Sequence, residues 1–422
     1  MMSRDRPPPL AALASSLSDG ESFLAAVAGP FRRAIRVHPR RGTPSGWGTM
    51  VQVPWSPSGL FTSDDADPGD FLDHHLGTIY AQDAASQLPV VLLDPQPGET
   101  VIDVCAAPGS KSTQIGLALG DEGLLVCCDA SPPRRRVLSE NLARQGVASA
   151  VVTPMPVHIL AQRHPGCADA VLVDAPCSGH EQRSSKQVER MAQRQLELLE
   201  QASRLVRPCG RLVYSTCTPY VEEDEQVVAA FLASHPGWAA EACVAPGCDG
   251  DLRGAGGIRL WPQRQGSEAF FAARLRALDG DAVQCVSLNG IVPPAGVELS
   301  AWLPHTGLMC WRRGNAVFAG TAQAASCALP SEARGLLLGH GEGERFRLEP
   351  WSAQALIERG AAAVVVSHAD AIRLWAGEEL DLPIARPALA RTASGGPLGE
   401  LAGASGRWRL DIPSRMRRTG LR

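Results

Sequence analysis

The chain has little lysine, little tyrosine and no long apolar run. Lysine occurs only at positions 111 and 186 of the 422 residues, and tyrosine occurs three times. No apolar stretch is long enough to cross a bilayer, and prolines and charges interrupt the first residues, where an apolar export signal would lie. We therefore expect a cytoplasmic protein without a membrane partner.

The spacings that hold structural metals are also missing. The twelve cysteines include no Cys-x-x-Cys pair, which is the spacing of many zinc sites and thiol redox motifs. Cys127 and Cys128 lie inside an apolar run, where small buried thiols are common. We therefore expect no bound metal, and in a reducing compartment we expect the thiols to stay free for chemistry.

Charge alone does not identify a partner. The net charge of −4 is not the footprint of a strong nucleic-acid binder. Arginine nevertheless supplies nearly all of the positive charge, and it is clustered within 32–41, at 134–136 and within 407–422. These clusters leave RNA open as a partner.

The length and the spacing of apolar segments indicate several domains. Between residues 100 and 275, short apolar runs, 124–128 and 150–153 among them, alternate with amphipathic stretches, which predicts an α/β domain whose mostly parallel sheet is covered on both faces. The segments 258–260 and 269–275 are expected to form a closing antiparallel pair, and 34–37 is expected to be a short basic strand. Later β-like segments, 297–301 among them, are punctuated by glycine. The predicted divisions are a small N-terminal α/β extension at 1–75, the α/β domain at 76–278, a β-rich module at 285–385 and a loosely held basic tail at 386–422.

Two cysteines follow predicted strands of this sheet. Asp174 and Cys177 come after the apolar run 170–173, and Cys217 comes after the run 211–214. In an open α/β sheet, the loops at the carboxyl ends of the strands line the ligand crevice. We therefore expect two thiols and one carboxylate to meet in one cleft.

A third loop is expected in the same cleft. The apolar run 101–104 leads through the small residues of 105–110 into a helix that begins near Lys111. Small residues let a ligand approach the backbone, and the amides of a helix start favour a polar or anionic group. Asp129 ends the next strand, where a carboxylate usually binds ribose hydroxyls. A nucleoside-containing cofactor is predicted; NAD and S-adenosylmethionine both fit, although the missing Gly-x-Gly-x-x-Gly counts against NAD.

The two thiols favour chemistry on a pyrimidine. A cysteine thiolate is a soft nucleophile that adds to electron-poor carbon. Addition to carbon 6 of cytosine, with a proton supplied to ring N3, makes carbon 5 nucleophilic enough to take a methyl group. Asp174 is the candidate acid, a role in which it must carry a proton. A second thiol could then assist the loss of the carbon 5 proton and the release of the product.

Three segments carry a family resemblance. VIDVCAAPGSKSTQI, LVDAPCSG and GRLVYSTCTPYVEEDE are similar to the signature motifs of the RNA cytosine-5 methyltransferases of the Sun/Nop/Rsm (NSUN) family. The resemblance implies a class I, Rossmann-like fold that uses S-adenosylmethionine. It also implies that Cys217 is the nucleophile, that Cys177 assists release of methylated RNA, and that Asp174 contacts the cytosine with Lys111 near the reacting base. The implied cofactor-binding residues are Cys105, Ala106, Ala107, Pro108, Gly109, Ser110, Lys111, Asp129 and Asp174.

The flanking segments resemble one branch of that family. They are similar to the RsmF-like branch, which acts on small-subunit ribosomal RNA, so the resemblance favours 16S rRNA as the substrate. Residues 373–377 resemble the closing strand of PUA-like RNA-binding modules, which makes the C-terminal module PUA-like by prediction. The segments that resemble the branch are 33–37, 53–55, 80–86, 259–262 and 270–271.

The sequence also departs from the family pattern. Pro156 falls near the position where an aspartate commonly contacts the adenine of the cofactor. His38, Cys209, Asp224 and Glu268 stand where the family usually has Asn, Gly, Asn and Asp. These changes predict a different substrate choice or a weaker hold on the cofactor.

Other functions stay open at this point. A transfer-RNA cytosine-5 methyltransferase would use the same motifs. A non-catalytic RNA-binding factor of ribosome assembly could keep the fold without the reaction. A thiol redox protein could use Cys177 and Cys217 as a disulfide pair, although the usual spacing for such a pair is missing. We expect the protein to be a monomer.

Overall fold

The structure is a computed structural model that describes residues 9–63, 65–254, 256–279, 285–288, 308–341, 347–384, 388–404 and 406–421. The strand predicted at 297–301 lies outside the described residues. Within the described part of the chain, no helix has both the length and the apolar content that a bilayer crossing requires.

The N-terminal part is two helices followed by a small antiparallel sheet. The sheet order is β2-β3-β1-β4, and the central strand β1 coincides with the basic strand predicted at 34–37. Because β4 belongs to this sheet, the sheet runs across the boundary predicted between residues 75 and 76. The elements are α1 (Pro9–Ser16), α2 (Gly20–Ala28), β1 (Ala34–Val37), β2 (Met50–Gln52), β3 (Gly59–Thr62), α3 (Leu72–His75) and β4 (Ile79–Ala81).

The central domain is one large sheet flanked by helices. Its elements are α4 (Leu88–Leu93), β5 (Thr100–Asp103), α5 (Ser110–Leu119), β6 (Leu124–Cys128), α6 (Pro132–Arg144), β7 (Ala150–Thr153), α7 (Val157–Arg163), β8 (Ala168–Asp174), α8 (Ser185–Ser203), β9 (Val206–Thr216), α9 (Glu225–Ser234), β10 (Trp238–Glu241), β11 (Asp249–Gly250), β12 (Ile258–Leu260), α10 (Pro262–Gln265) and β13 (Phe270–Ala277).

Alternating side chains of the central strands fill two separate cores. Val171 and Val173 of β8 pack into one cluster, while Leu172 between them packs into the cluster on the other face. This period of two, with both faces buried, is the pattern of a parallel strand covered by helices. It explains why the strands read as continuous apolar runs.

The sheet is mixed, not mostly parallel. Strands β7-β6-β5-β8-β9 are parallel neighbours, as predicted. Beyond β9, strand β13 runs antiparallel and carries β12 and β10, and β11 extends the edge. The predicted antiparallel pairing of 258–260 with the strand near 270 is confirmed. Short connections allow these antiparallel strands, whereas parallel strands need helical crossovers.

The C-terminal part is β-rich, as predicted. One sheet has the order β14-β15-β17-β18, and a second has the order β19-β21-β22-β23-β20. Strand β16 pairs instead with β7, so it extends the large sheet of the central domain. The elements are β14 (Met309–Arg313), β15 (Ala316–Gly320), α11 (Ala322–Ser326), β16 (Ala333–Arg334), β17 (Leu336–His340), β18 (Arg347–Leu348), α12 (Pro350–Glu358), β19 (Ala363–Val366), α13 (His368–Trp375), β20 (Leu380–Asp381), β21 (Ala388–Thr392), β22 (Pro397–Ala404) and β23 (Arg407–Leu410).

Two predictions for this part are wrong. Residues 373–377 are not a strand: they form the end of helix α13 and its cap, because Ser367 caps the helix start and Ala371, Leu374 and Trp375 bury one helical face. The segment 386–422 is not a loose tail, because β21, β22 and β23 lie inside a five-stranded sheet.

Candidate active site

Four strand ends bring the predicted site residues to one edge of the sheet. The strand order β9-β8-β5-β6 places their carboxyl ends side by side. Cys217 follows β9, Asp174 ends β8, Lys111 is in the first turn of α5 after β5, and Asp129 follows β6. Parallel neighbours therefore gather the three predicted loops in one cleft.

The two predicted catalytic thiols are in contact. The Sγ atoms of Cys177 and Cys217 are 3.3 Å apart, a hydrogen-bond distance for two thiols, and both cysteines are free. Accepting this hydrogen bond lowers the pKa of Cys217, against burial and nearby carboxylates, which act to raise it. The same hydrogen bond, together with burial, raises the pKa of Cys177. Cys217 is therefore the thiol that ionises first.

Asp174 is held by two donors. The Nζ of Lys111 donates to Oδ2 at 2.7 Å, and the hydroxyl of Ser215 donates to Oδ1 at 2.8 Å. Ser215 is paired with Asp174 across β8 and β9, so the strand register itself fixes this contact. Both carboxyl oxygens accept, so in this arrangement Asp174 does not donate the proton that the predicted acid role needs.

Lys111 is buried beside these groups. Burial acts to lower its pKa, but the combined effect of Asp174, Cys217 and Asp103 outweighs burial and raises it. The ring centre of Phe270 lies 5.4 Å from Nζ, within cation–π range. An ammonium is thus kept charged within the same cleft as the thiol of Cys217.

The loop after β5 is shaped by three fixed contacts. Gly109 has a φ of +110°, which only glycine adopts freely, and it caps the start of α5. The amide of Ala106 donates to the carbonyl of Cys128 at 3.0 Å, which ties the loop to the end of β6. The hydroxyl of Ser112 donates to Asp103 at 2.7 Å, and burial raises the pKa of Asp103 to about 6.

The residues of this loop and of the β6 end fit a nucleoside cofactor. The side chain of Asp129 is 4 % exposed, and its carboxylate is 3.3 Å from a guanidinium nitrogen of Arg134. The two hydroxyl groups of a ribose can replace this guanidinium as the partner of the carboxylate. Arg134 also donates to the carbonyl of Ala107, so it lies between the two segments that were predicted to bind the cofactor. Pro156 caps α7 and offers no hydrogen-bond donor or acceptor from its side chain to an adenine.

Sequence reasoning missed the residues that support the thiols. Glu223 accepts from the amide of Ser178 at 3.0 Å and from Gln195 at 2.8 Å, which fixes the loop that carries Cys177. Arg259 donates to Asp224 at 2.7 Å and to the carbonyl of Pro219 at 3.1 Å, close to Cys217 in sequence. The acidic run after Cys217 was the one available signal.

Comparisons with known proteins find ribosomal RNA methyltransferases. A family model described as "16S rRNA methyltransferase RsmB/F" matches residues 90–276. Ribosomal RNA small subunit methyltransferase F of Escherichia coli O127:H6 (strain E2348/69 / EPEC) is 36% identical over 294 residues, which are 63% of this chain. This chain spans only 61% of that relative's length.

Two solved structures share the fold. A methyltransferase homolog protein from Pyrococcus horikoshii is 27% identical, with a TM-score of 0.57 over 62% of this chain and 91% of that one. NSun6 from the same organism, determined with SFG, is 21% identical, with a TM-score of 0.56 over 65% of this chain and 99% of that one.

The sheet and the strand-end cleft define a Rossmann-like methyltransferase fold. Residues 90–276 match the model of the RsmB/F family of 16S rRNA methyltransferases, so this part of the chain is similar to that family.

Proposed function

We propose that this protein methylates carbon 5 of cytosine in RNA, with S-adenosylmethionine as the methyl donor and Cys217 as a covalent nucleophile. The observation that carries the proposal is the 3.3 Å contact between the two thiols: either sulfur can donate across it, and a thiolate at Cys217 accepts from Cys177, which lowers the pKa of Cys217. A thiolate formed this way is the species that adds to carbon 6 of the ring.

The pair of Lys111 and Asp174 supplies the proton for ring N3. Lys111 is the only proton donor of the pair in this arrangement, and its Nζ is 2.7 Å from Asp174. A proton passed from the ammonium to the carboxylate leaves a neutral pair and gives Asp174 the proton that its role requires. Ser215 holds the other oxygen, so the carboxyl group keeps its orientation.

The loop from Cys105 to Lys111 and the carboxylate of Asp129 would hold the cofactor, which supplies an electrophilic methyl group when it is bound. After the transfer, carbon 5 must lose its proton and the bond between carbon 6 and Cys217 must break. The sulfur of Cys177 lies 3.3 Å from that of Cys217, close enough to assist both events. Enzymes that react with a base generally flip it out of its stack, so the cytosine would enter the cleft in a flipped state.

Ribosomal RNA is the substrate that we favour. The support is the similarity to ribosomal RNA small subunit methyltransferase F and to the RsmB/F family of 16S rRNA methyltransferases. Transfer RNA is the alternative. We also propose that the C-terminal part, including the strands β21, β22 and β23, acts as a PUA-like RNA-binding module, and that the protein works as a monomer in the cytoplasm, where free thiols persist.

One assay separates these functions. Wild type is incubated with labelled S-adenosylmethionine and either 16S rRNA or transfer RNA, beside Cys217→Ala, Cys177→Ser and the control Cys285→Ala, which removes an exposed thiol. We expect wild type and the control to methylate 16S rRNA, Cys217→Ala to show no transfer, and Cys177→Ser to accumulate a protein–RNA adduct.

The other outcomes are equally informative. Methylation of transfer RNA alone would replace the favoured substrate by the alternative. No transfer to either RNA by wild type, with RNA binding intact, would overturn the proposal and favour a non-catalytic assembly factor.

A further inference from the structure

A cavity of about 360 Å³ lies between the N-terminal sheet and the central domain. Pockets that bind small ligands commonly have volumes of about 300–1,000 Å³, so this cavity can hold one nucleotide. Residues between 31 and 68 form most of its wall, and the segment 81–83 and Glu268 complete it. No residue of the proposed catalytic set lines it.

The cavity adjoins the reactive thiol. Glu268 comes two residues before Phe270, whose ring lies 5.4 Å from Nζ of Lys111. The charge of Glu268 acts on the Cys217 thiol, and the charges of Lys111 and Asp174 act on Glu268. The ring of Phe31, which lines the cavity, lies 5.2 Å from the ring of His180, three residues after Cys177. A chain of RNA whose cytosine meets Cys217 would therefore place a neighbouring nucleotide at this cavity.

Hydrogen-bond acceptors line the inner side of the cavity. The Glu268 side chain has no hydrogen-bond or ion-pair partner within the part of the chain that the structure describes. Asp83 accepts the amide of Ala85 at 2.7 Å and also the backbone amides of Ser86 and Glu268, which leaves about one of the four acceptor positions of its carboxylate for a further donor. Burial raises the pKa of both carboxyl groups, so each gains from a donor that enters the cavity.

Positive charge and aromatic rings line the outer side. Arg32 and Arg33 are exposed; the Arg32 guanidinium sits 4.0 Å from the ring centre of Phe61, and Arg33 donates to the carbonyl of Ala66 at 2.8 Å. Trp47 is stacked on Phe71 at 3.9 Å, and it lines the cavity with Phe31. Arginines beside aromatic rings are the surroundings in which single-stranded RNA binds, through phosphates and stacked bases.

We propose that this cavity binds the nucleotide next to the target cytosine, as a purine whose exocyclic amino group donates to Glu268 and Asp83 and whose phosphate lies against Arg32 and Arg33. The inference rests on the proposed function, and it adds that the protein recognises the nucleotide next to the target cytosine. A purine offers the larger face for stacking, and a carboxylate accepts from its amino group but cannot donate to a base that presents an acceptor there.

The test compares RNAs that differ by one amino group. Short single-stranded RNAs carry one cytosine, flanked on either side by adenosine or purine riboside, or by guanosine or inosine. For wild type, removal of the amino group at one of the two flanking positions is expected to lower kcat/KM and the binding affinity about tenfold, the loss typical of a hydrogen bond to a charged group. Binding is measured by fluorescence anisotropy, independently of methyl transfer.

Variants then locate the effect. For each variant, the ratio of kcat/KM between the RNA with the amino group and the RNA without it is measured. Glu268→Gln and Asp83→Asn should bring this ratio close to one, whereas Glu189→Gln, which changes an exposed carboxyl group on α8, should leave it as in wild type. Both RNAs of a pair are measured with the same variant, so a change in the overall rate of that variant cancels in the ratio. Arg33→Ala should weaken the binding of all the RNAs. The slope of log affinity against log salt concentration should become shallower by about one, as expected for the loss of one phosphate contact.

Failure of the cavity and failure of the proposed function give different results. If wild type methylates cytosine with no dependence on either neighbour's amino group, the cavity proposal is overturned and the function stands. If binding depends on the amino group but no methyl is transferred, the function is overturned and the cavity stands. If wild type depends on the neighbour's amino group and the dependence remains in both Glu268→Gln and Asp83→Asn, another site recognises the neighbouring nucleotide and this assignment is wrong.

Discussion

At the scale of single residues, the two thiols differ in which of them the shared hydrogen bond stabilises as a thiolate. Either sulfur can donate across the contact, and a thiolate at Cys217 accepts from Cys177, which lowers the pKa of Cys217 and raises that of Cys177. Burial acts to raise the pKa of both thiols, so burial does not produce the difference. The thiol that ionises first is therefore defined by its neighbour and not by its own exposure.

This asymmetry predicts the pH dependence of Cys217 alkylation. The lowered pKa means that the thiolate is present at a lower pH than for an ordinary cysteine, so reaction with iodoacetamide should rise with pH at a correspondingly low midpoint. Cys177→Ala removes the donor and should move the midpoint to higher pH, while Cys177→Ser keeps a hydroxyl donor and should move it less. Site-resolved mass spectrometry gives each midpoint, and equal midpoints in all three proteins would show that Cys177 does not activate Cys217.

At the scale of elements, strand positions were predictable and side-chain contacts were not. Strands β6 and β7 coincide with the runs expected from sequence, because a fully buried strand leaves an unbroken apolar run. The meeting of the three loops after β5, β8 and β9 was also predictable, because the carboxyl ends of parallel strands lie at the same edge of a sheet. The contact of Ser215 with Asp174 depends on strand register, and Glu223 acts across a loop, so no local pattern could show either.

The C-terminal errors have the same origin. The sheet β19-β21-β22-β23-β20 pairs strands that are distant in sequence, and the segment from 386 onward carries proline, glycine and arginine, which are typical of a tail. Helix α13 is short, and only the cap at Ser367 with Asp370 marks its start. The prediction for the segment from 386 onward therefore followed its composition, and the short helical repeat of apolar residues in α13 was too weak to be recognised.

The connection between β7 and α7 gives a prediction at this scale. Pro156 caps α7 with an extended backbone, the conformation in which aspartate is a favoured N-cap. Pro156→Asp should therefore be tolerated, and the added carboxylate should accept from the adenine amino group and tighten S-adenosylmethionine about tenfold. Isothermal titration measures the Kd, with Pro154→Asp, also exposed, as the matched control. An unchanged Kd would mean that the adenine does not reach this connection.

At the scale of the whole molecule, buried charges join the three parts. The side chain of Glu358 in α12 is fully buried, and it accepts from Arg41 of the N-terminal part at 2.8 Å. Arg359 beside it binds Asp121 of the central domain at 2.6 Å. His38 stays neutral next to this group because burial lowers its pKa. Together with the pairing of β16 on β7, the cluster fixes the C-terminal part against the methyltransferase domain.

Loss of this anchor should destabilise the protein strongly. Glu358→Gln leaves Arg41 buried without a counter-charge, which typically costs about 3–5 kcal/mol of unfolding free energy. The control Glu378→Gln breaks the half-exposed pair with Arg373, for which about 0–1 kcal/mol is expected. Urea titration followed by tryptophan fluorescence compares the two, and equal losses would contradict the anchoring role.

The most direct measurement of the central claim is the identity of the atom that bonds to the base. RNA in which 5-fluorocytosine replaces the target cytosine should trap the intermediate, because after methyl transfer carbon 5 has no proton to lose and the bond to sulfur cannot break. Digestion and mass spectrometry of the trapped complex should then find the methylated nucleotide on the peptide that contains Cys217. A nucleotide attached to Cys177 or to any other residue, or methylation with no trapped complex, would contradict the account.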